Sequence, residues 1–153
     1  MPLFPNNDID AVYISMFDLE NPWSRFGLKS FLLDEQVWQT AEHYYQSMKF
    51  EDQDYKDKIR CAQTPELAKK LGKPWFKRKR KDWSKIQTTV MTRALYTQCK
   101  SYDEIAEALL DTGDKQIIEN SQFDYFWGCG RDSRGHNHYG KVLMNIRTKL
   151  QDE

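Results

Sequence analysis

The chain has 153 residues, 14% of them aromatic, and its 23 Lys plus Arg balance 23 Asp plus Glu for a formal net charge of zero. That length suits one domain, which needs no disulfide or metal to hold a core, and the aromatic content excludes a disordered segment. The charge balance excludes a global field toward nucleic acid or membrane, so any such attraction must come from a local patch.

In chain order, residues 1–10 read as a loose lead-in, with Pro2, Pro5 and an Asn-Asn-Asp run but no basic and apolar regions of a signal peptide. A single domain is expected over 11–150. Residues 11–17 (AVYISMF) are β-branched and aromatic and predict a strand. Residues 31–33 and 36–38, separated by Asp34-Glu35, predict a hairpin. Thr40 predicts the N-cap of a helix reaching about residue 50, with Glu42 in its first turn. Thr64-Pro65-Glu66 is a second helix start, a capping hydroxyl before a proline whose missing N–H costs nothing there, and that helix should stop at Gly72. Apolar residues then recur at helical spacing: Ile86, Val90, Met91, Ala94 and Leu95; Tyr102, Ile105, Ala106, Leu109 and Leu110; and Tyr139, Val142, Leu143, Ile146 and Leu150. The expected fold class is α+β, a mostly α-helical single domain with a short antiparallel sheet near the N-terminus.

Cys61, Cys99 and Cys129 are odd in number and widely spaced, with no Cys-x-x-Cys pair. This argues against a disulfide framework and for a reducing compartment. No apolar run approaches the ~20 residues that span a bilayer. The expectation is a soluble, cytoplasmic protein with no membrane partner.

Three features could carry chemistry. In TAEHYYQSMKF (residues 40–50), Ala41, Tyr44, Tyr45 and Met48 make an apolar stripe. Glu42 and Lys49, seven apart, differ by only about 20° around a helix axis, with Gln46 beside them. They lie at the stripe's edge, where a pocket wall is built. The alternative is a Glu42 that complements the helix dipole and a Lys49 that is a solvated surface lysine. Next, residues 124–137 (DYFWGCGRDSRGHN) hold Gly128, Gly130, Gly135 and Asn137 just before the last helix. Such a loop can offer backbone N–H groups to a phosphate or sugar, and Trp127 could stack on a flat base. Equally, the glycines can serve positive φ and the tryptophan the core. Third, six of the nine residues 73–81 (KPWFKRKRK) are Lys or Arg, interleaved with Trp75 and Phe76. That local patch suits a phosphate-bearing ligand or a nucleic-acid backbone, or is simply a solvated basic loop. His136 and His138 have no ligand partners at familiar metal spacing, and no nucleophile elbow occurs, so neither a metal site nor acyl transfer is expected.

Taken in order, these blocks resemble the NADAR family, and most closely its YbiA-like members. The resemblance runs from about Tyr13 to Leu150. It rests on residues 40–50, on Thr64-Pro65 through Leu71-Gly72, on Arg80-Lys-Asp-Trp83 with Val90-Met91, on Leu110 to Gly113, and on Asp124 to Gly130 followed by Gly135 to Met144 with Arg147. Two positions depart from the family pattern. Ser24-Arg25-Phe26 stands where the family usually has Ser-Asn-Phe, and Tyr139 where leucine is more frequent.

The resemblance implies an N-glycosidase that hydrolyses the ribose–amine bond of ribosylamino-pyrimidine phosphates, early riboflavin-pathway intermediates, and releases ribose 5-phosphate. The alternatives it leaves open are a glycosidase that removes ADP-ribose from guanine in DNA and a non-catalytic module that binds NAD or ADP-ribose. The expected partner is a small phosphorylated ribosylamine, or else ADP-ribosylated DNA; no cofactor and no metal are expected, and no oligomeric state is assigned. The expected catalytic residues are Glu42 as acid/base, Lys49 as nucleophile or electrostatic partner, and Asp124 as an alternative carboxylate. The expected substrate-binding set is Ser24, Phe26, Gln46, Arg80, Lys81, Trp83, Trp127, Gly128 and Asn137, with Arg80 and Lys81 on phosphate, Trp127 on the base and Asn137 on ribose.

Overall fold

The computed structural model describes residues 10–153. The expected lead-in, Asp10 apart, lies outside the described residues. The chain runs through β1 (Ala11–Ile14), β2 (Phe31–Leu33), β3 (Gln36–Trp38), α1 (Ala41–Ser47), α2 (Gln53–Arg60), α3 (Pro65–Leu71), α4 (Trp83–Ser101), α5 (Asp103–Leu110), β4 (Gln116–Glu119) and α6 (His138–Gln151). This is the expected α+β architecture dominated by helices.

The hairpin forms as read. β2 and β3 pair antiparallel with Leu32 opposite Val37. Asp34 and Glu35 both take positive φ (53° and 65°), as a two-residue hairpin loop matched to strand twist requires. The strand expected over 11–17 is shorter, and its partner is distant: β1 pairs parallel with β4, Val12 opposite Ile117. β4 escapes sequence reading because QIIE is four residues long with no alternation. A parallel pair needs a crossover, and here that crossover contains most of the domain. α2 also escapes, since its eight residues offer only Tyr55 and Ile59 as buried anchors among charges.

Local signals place the helix starts. The Thr40 hydroxyl accepts from His43 N at 3.2 Å, and the Thr64 hydroxyl accepts from Leu67 N at 3.1 Å with Pro65 in the first turn. The main core gathers Trp23, Phe31, Trp38, Tyr44, Tyr45, Trp83, Leu95, Ile117, Tyr139 and Leu143 around the long helix α4. A smaller cluster of Phe50, Tyr55, Ile59, Ala62 and Ala68 ties α2 and α3 to the end of α1. Burying a side chain such as Ile59 contributes roughly 1.5–3 kcal/mol, and this cluster is what holds Gly72 against α1. Gly140 is needed for close approach: a Cβ there would run into Ile117 O, so α6 could not lie against β4.

Candidate active site

All seven residues of α1 are buried, polar and apolar alike. The stripe of Glu42, Gln46 and Lys49 is therefore an interior wall. Lys49 is 7% exposed, which overturns the alternative of a solvated surface lysine. The segment carrying Ser24, Arg25 and Phe26 packs beside it, tied by Glu42 N donating to Arg25 O at 2.9 Å and Arg25 N donating to Met16 O at 2.8 Å.

Arg25, marked in the sequence only as a departure from the family pattern and absent from the expected site residues, lies against Glu42. Its side chain is buried, and its Nε donates to Glu42 Oε2 in a closed ion pair. The guanidinium carbon lies 4.7 Å from the Tyr45 ring centroid, 5.5 Å from that of Phe17 and 5.8 Å from that of Trp127. Burial works to discharge Arg25, but Glu42, Tyr45 and Tyr139 together outweigh it, and its pKa lies above the ordinary value. The signal available was the arginine at a position where the resemblance has asparagine.

Glu42's other oxygen, Oε1, accepts from Gln46 Nε2 at 2.6 Å. Both carboxylate oxygens are thus engaged. Gln46 Oε1, by contrast, is buried without a hydrogen-bond partner, an acceptor that a ligand hydroxyl would satisfy. Gly72 makes room for that amide, because a Cβ there would collide with Gln46 Oε1. Lys49 Nζ donates to Gly72 O at 3.4 Å, a long bond, and lies 5.5 Å from the centroid of the Tyr45 ring that also carries Arg25. Burial is the largest influence on Lys49 and pulls it down; Glu42 pushes it up, while Arg25, Lys73 and Lys79 lower it further. The outcome is an amine brought down to about 8, so a substantial neutral fraction exists near physiological pH.

Lys49 opens onto a cleft of about 530 Å³ whose other wall is basic, with Lys73, Lys77, Arg78, Lys79 and Arg80. Arg80 N donates to Lys49 O at 2.7 Å and so pins the basic run to the end of α1. Its guanidinium is held by Asp82 at 2.6 and 3.1 Å. Lys81 lines a second cleft of about 630 Å³, which shares Lys77, Arg78, Lys79 and Arg80 with the first and adds Phe50, Asp52 and Asp82. Lys81 does not line the Lys49 cleft.

The remaining expected residues are placed less directly. Trp83 and Trp127 are both buried, packing on Tyr45 with centroids 5.0 and 5.7 Å away. They support the wall on which Arg25 and Lys49 rest. The Ser24 hydroxyl donates to Met16 O at 3.3 Å and accepts from Phe26 N at 3.2 Å, while Phe26 packs edge-on against Phe17. Asp124 Oδ1 accepts from Phe126 N at 3.0 Å and Trp127 N at 2.7 Å, so it fixes the turn that aims Trp127. It lines a separate cleft of about 360 Å³ with Met16, Phe17 and Phe123. The Asn137 amide is spent on β4, accepting from Glu119 N and donating to Ile117 O, each at 2.9 Å. Gly128 O accepts from Asn137 N at 3.0 Å. The glycine loop is thus stitched to β4 and α6 through its own backbone.

A buried carboxylate, a depressed amine and an orphaned acceptor beside a basic cleft can move a proton, attack an electrophilic carbon and hold an anion. A family model described as the NADAR domain matches residues 8–151. Over 133 residues the chain is 38% identical to an N-glycosidase of Nostoc punctiforme, covering 85% of each. It is 32% identical over 141 residues to the N-glycosidase YbiA of Escherichia coli, covering 92% of this chain and 88% of that one. The NMR structure of Escherichia coli YbiA superimposes with a TM-score of 0.83 at 31% identity, over 92% of this chain and 84% of that chain. A riboflavin biosynthesis protein of Vibrio vulnificus is 36% identical over 115 residues, which is 75% of this chain and 31% of that longer protein.

Proposed function

The chain belongs to the NADAR family, and from that membership we propose that it is an N-glycosidase hydrolysing the ribose–amine bond of ribosylamino-pyrimidine phosphates, with release of ribose 5-phosphate. The observation that carries this reading is Lys49, a buried amine brought down to about 8 that opens on a basic cleft beside the Glu42 carboxylate. The names of relatives from Nostoc, Escherichia and Vibrio support the bond class and the metabolic setting.

The nitrogen on the anomeric carbon of such a substrate is an exocyclic amine. Its lone pair expels the ring oxygen, which takes a proton, and an open-chain imine forms. The neutral Lys49 amine adds to that imine carbon; the base departs as its free amine after gaining a proton, and a C=N bond to Lys49 remains. Water then hydrolyses that bond, returning the sugar as ribose 5-phosphate and Lys49 as the amine. Glu42 relays the protons, Gln46 Oε1 receives a sugar hydroxyl, and the basic wall with Arg80 takes the phosphate.

A second reading has its own support. Trp75 is 95% exposed and Phe76 is exposed beside it, both inside the basic run. Aromatic faces among cations form the kind of surface that grips single strands, as an ADP-ribosyl-guanine glycosidase acting on DNA would need. One paired assay with chelator present separates the readings. Ribose 5-phosphate released from a ribosylamino-pyrimidine 5′-phosphate, with no turnover of single-stranded DNA carrying ADP-ribosyl-guanine, is the expected result. The reverse pattern overturns the metabolite reading, and strong salt dependence should accompany it. Silence in both arms would leave a module that binds NAD or ADP-ribose.

A further inference from the structure

Lys49 and Arg25 are two buried cations that both feel one buried carboxylate, Glu42. They lie against the same Tyr45 ring, at 5.5 and 4.7 Å from its centroid. Glu42 gives one oxygen to Arg25 and the other to Gln46. For Lys49 that leaves only the long bond to Gly72 O. A lysine next to a free glutamate would form the ion pair itself and stay protonated. Arg25 has taken that place.

We propose that Arg25 is a positioning residue: by occupying the Glu42 carboxylate it denies Lys49 a counter-ion and leaves the lysine unpaired at the wall of the cleft. This deepens the N-glycosidase reading above and rests on it for its catalytic meaning. The groups that face Lys49 agree. From α1 there is Glu42; from the segment before the hairpin, Arg25; from the basic run, Lys73 and Lys79. Of these charged groups Glu42 alone favours the charged amine, and Arg25 is bonded to it. Guanidinium suits the task, because it stays charged when buried and packs over an aromatic ring, as it does here 4.7 Å from the Tyr45 centroid. The neutral asparagine amide that the family resemblance places at this position could hydrogen-bond Glu42 without cancelling its charge. Lys49, which Glu42 already draws toward its charged form, would then meet an uncancelled carboxylate and would need a higher pH to act.

The test is to follow the Lys49 side chain by ¹³C NMR through pH, in the wild type and in Arg25→Asn, with no substrate present. The proposal expects the wild-type amine to titrate near 8 and the variant's to rise by about one pH unit or more. Removing the carboxylate as well, Arg25→Asn with Glu42→Gln, should bring the titration back down. An unmoved midpoint in a folded Arg25→Asn protein overturns the proposal. If that variant does not fold, the wild type still puts the proposal at risk: a Lys49 that titrates at the ordinary 10.5 is being served by Glu42, and the proposal fails. With the ribosylamino-pyrimidine phosphate added, the acid limb of the kcat/KM profile should move by the same amount as the midpoint; a merely structural loss would lower the profile without moving its limb. The titration needs no turnover, so failure of the glycosidase reading stays distinguishable from failure of this one.

Discussion

The turn that ends helix α1 and the basic run 73–81 both carry lysines, and their surroundings differ. Lys49, two residues beyond α1, is buried with its amine depressed. In the run, Arg78, Lys79 and Lys81 are exposed, and Lys77 and Arg80 are matched by Asp52 at 2.5 Å and Asp82 at 2.6 Å. Solvated charges keep their ordinary chemistry and act at a distance that salt shortens. A buried charge is altered by each neighbour, so of these lysines the buried Lys49 is the one suited to supply a reactive amine. The difference teaches that one chain can use lysine for attraction on its surface and for reactivity in its interior.

The sharpest way to break this comparison is to remove the buried amine. Lys49→Ala and Lys49→Met should each lower kcat by about 10³-fold or more with the fold retained. Activity kept in Lys49→Met would end both the nucleophile and the charge roles. Glu42→Gln should cost about 10²-fold or more in kcat, and should also destabilise the fold by about 3–5 kcal/mol, because Arg25 is left buried without its counter-ion. Denaturant melts alongside kinetics would read both effects. Next in size is Gly72→Ala. Gly72 has an ordinary φ of −72°, so the penalty is steric: the new methyl pushes the Gln46 amide off Glu42. We expect about a tenfold fall in kcat/KM and a loss of about 1–3 kcal/mol.

The pH profile sharpens the comparison from another side. If the neutral Lys49 amine is the active form and titrates near 8, kcat/KM should climb about tenfold per pH unit below that value and level off above it. A profile flat from pH 6 to 9 would contradict the assignment. The smallest effects belong to the surface. Lys79→Ala and Lys81→Ala should raise KM for the phosphorylated substrate by only a few-fold, more for Lys79, which lines the Lys49 cleft, and added salt should erase the difference. A large loss of kcat from Lys81→Ala would mean that the second cleft takes part in the chemistry.

Much of this could be read along the chain. The Thr40 and Thr64 caps, the Asp34-Glu35 turn and the stripe of α6 each depend on residues within a turn or two of one another, and such signals survive without tertiary context. Glu42, Gln46 and Lys49 were legible as one polar stripe for the same reason. The glycine loop was harder to read: Asp124 and Asn137 have the right chemistry for a sugar site, yet their side chains hold Trp127 and β4. Nothing within the loop says that, because Asn137's partner lies about twenty residues earlier.

By itself the sequence determined where most helices begin, which face of each is apolar and which polar groups share a face, since these follow from helical and strand periods. Only the tertiary structure decided that the polar face of α1 is interior and that Arg25 closes on Glu42 seventeen residues away. It alone set Gly72 against Gln46 and joined β1 to β4 across the whole domain. The reason is that burial and ion pairing depend on which distant surfaces meet. An arginine, a glutamate and a lysine acquire their reactivity from that meeting, in a medium where one charge governs the next.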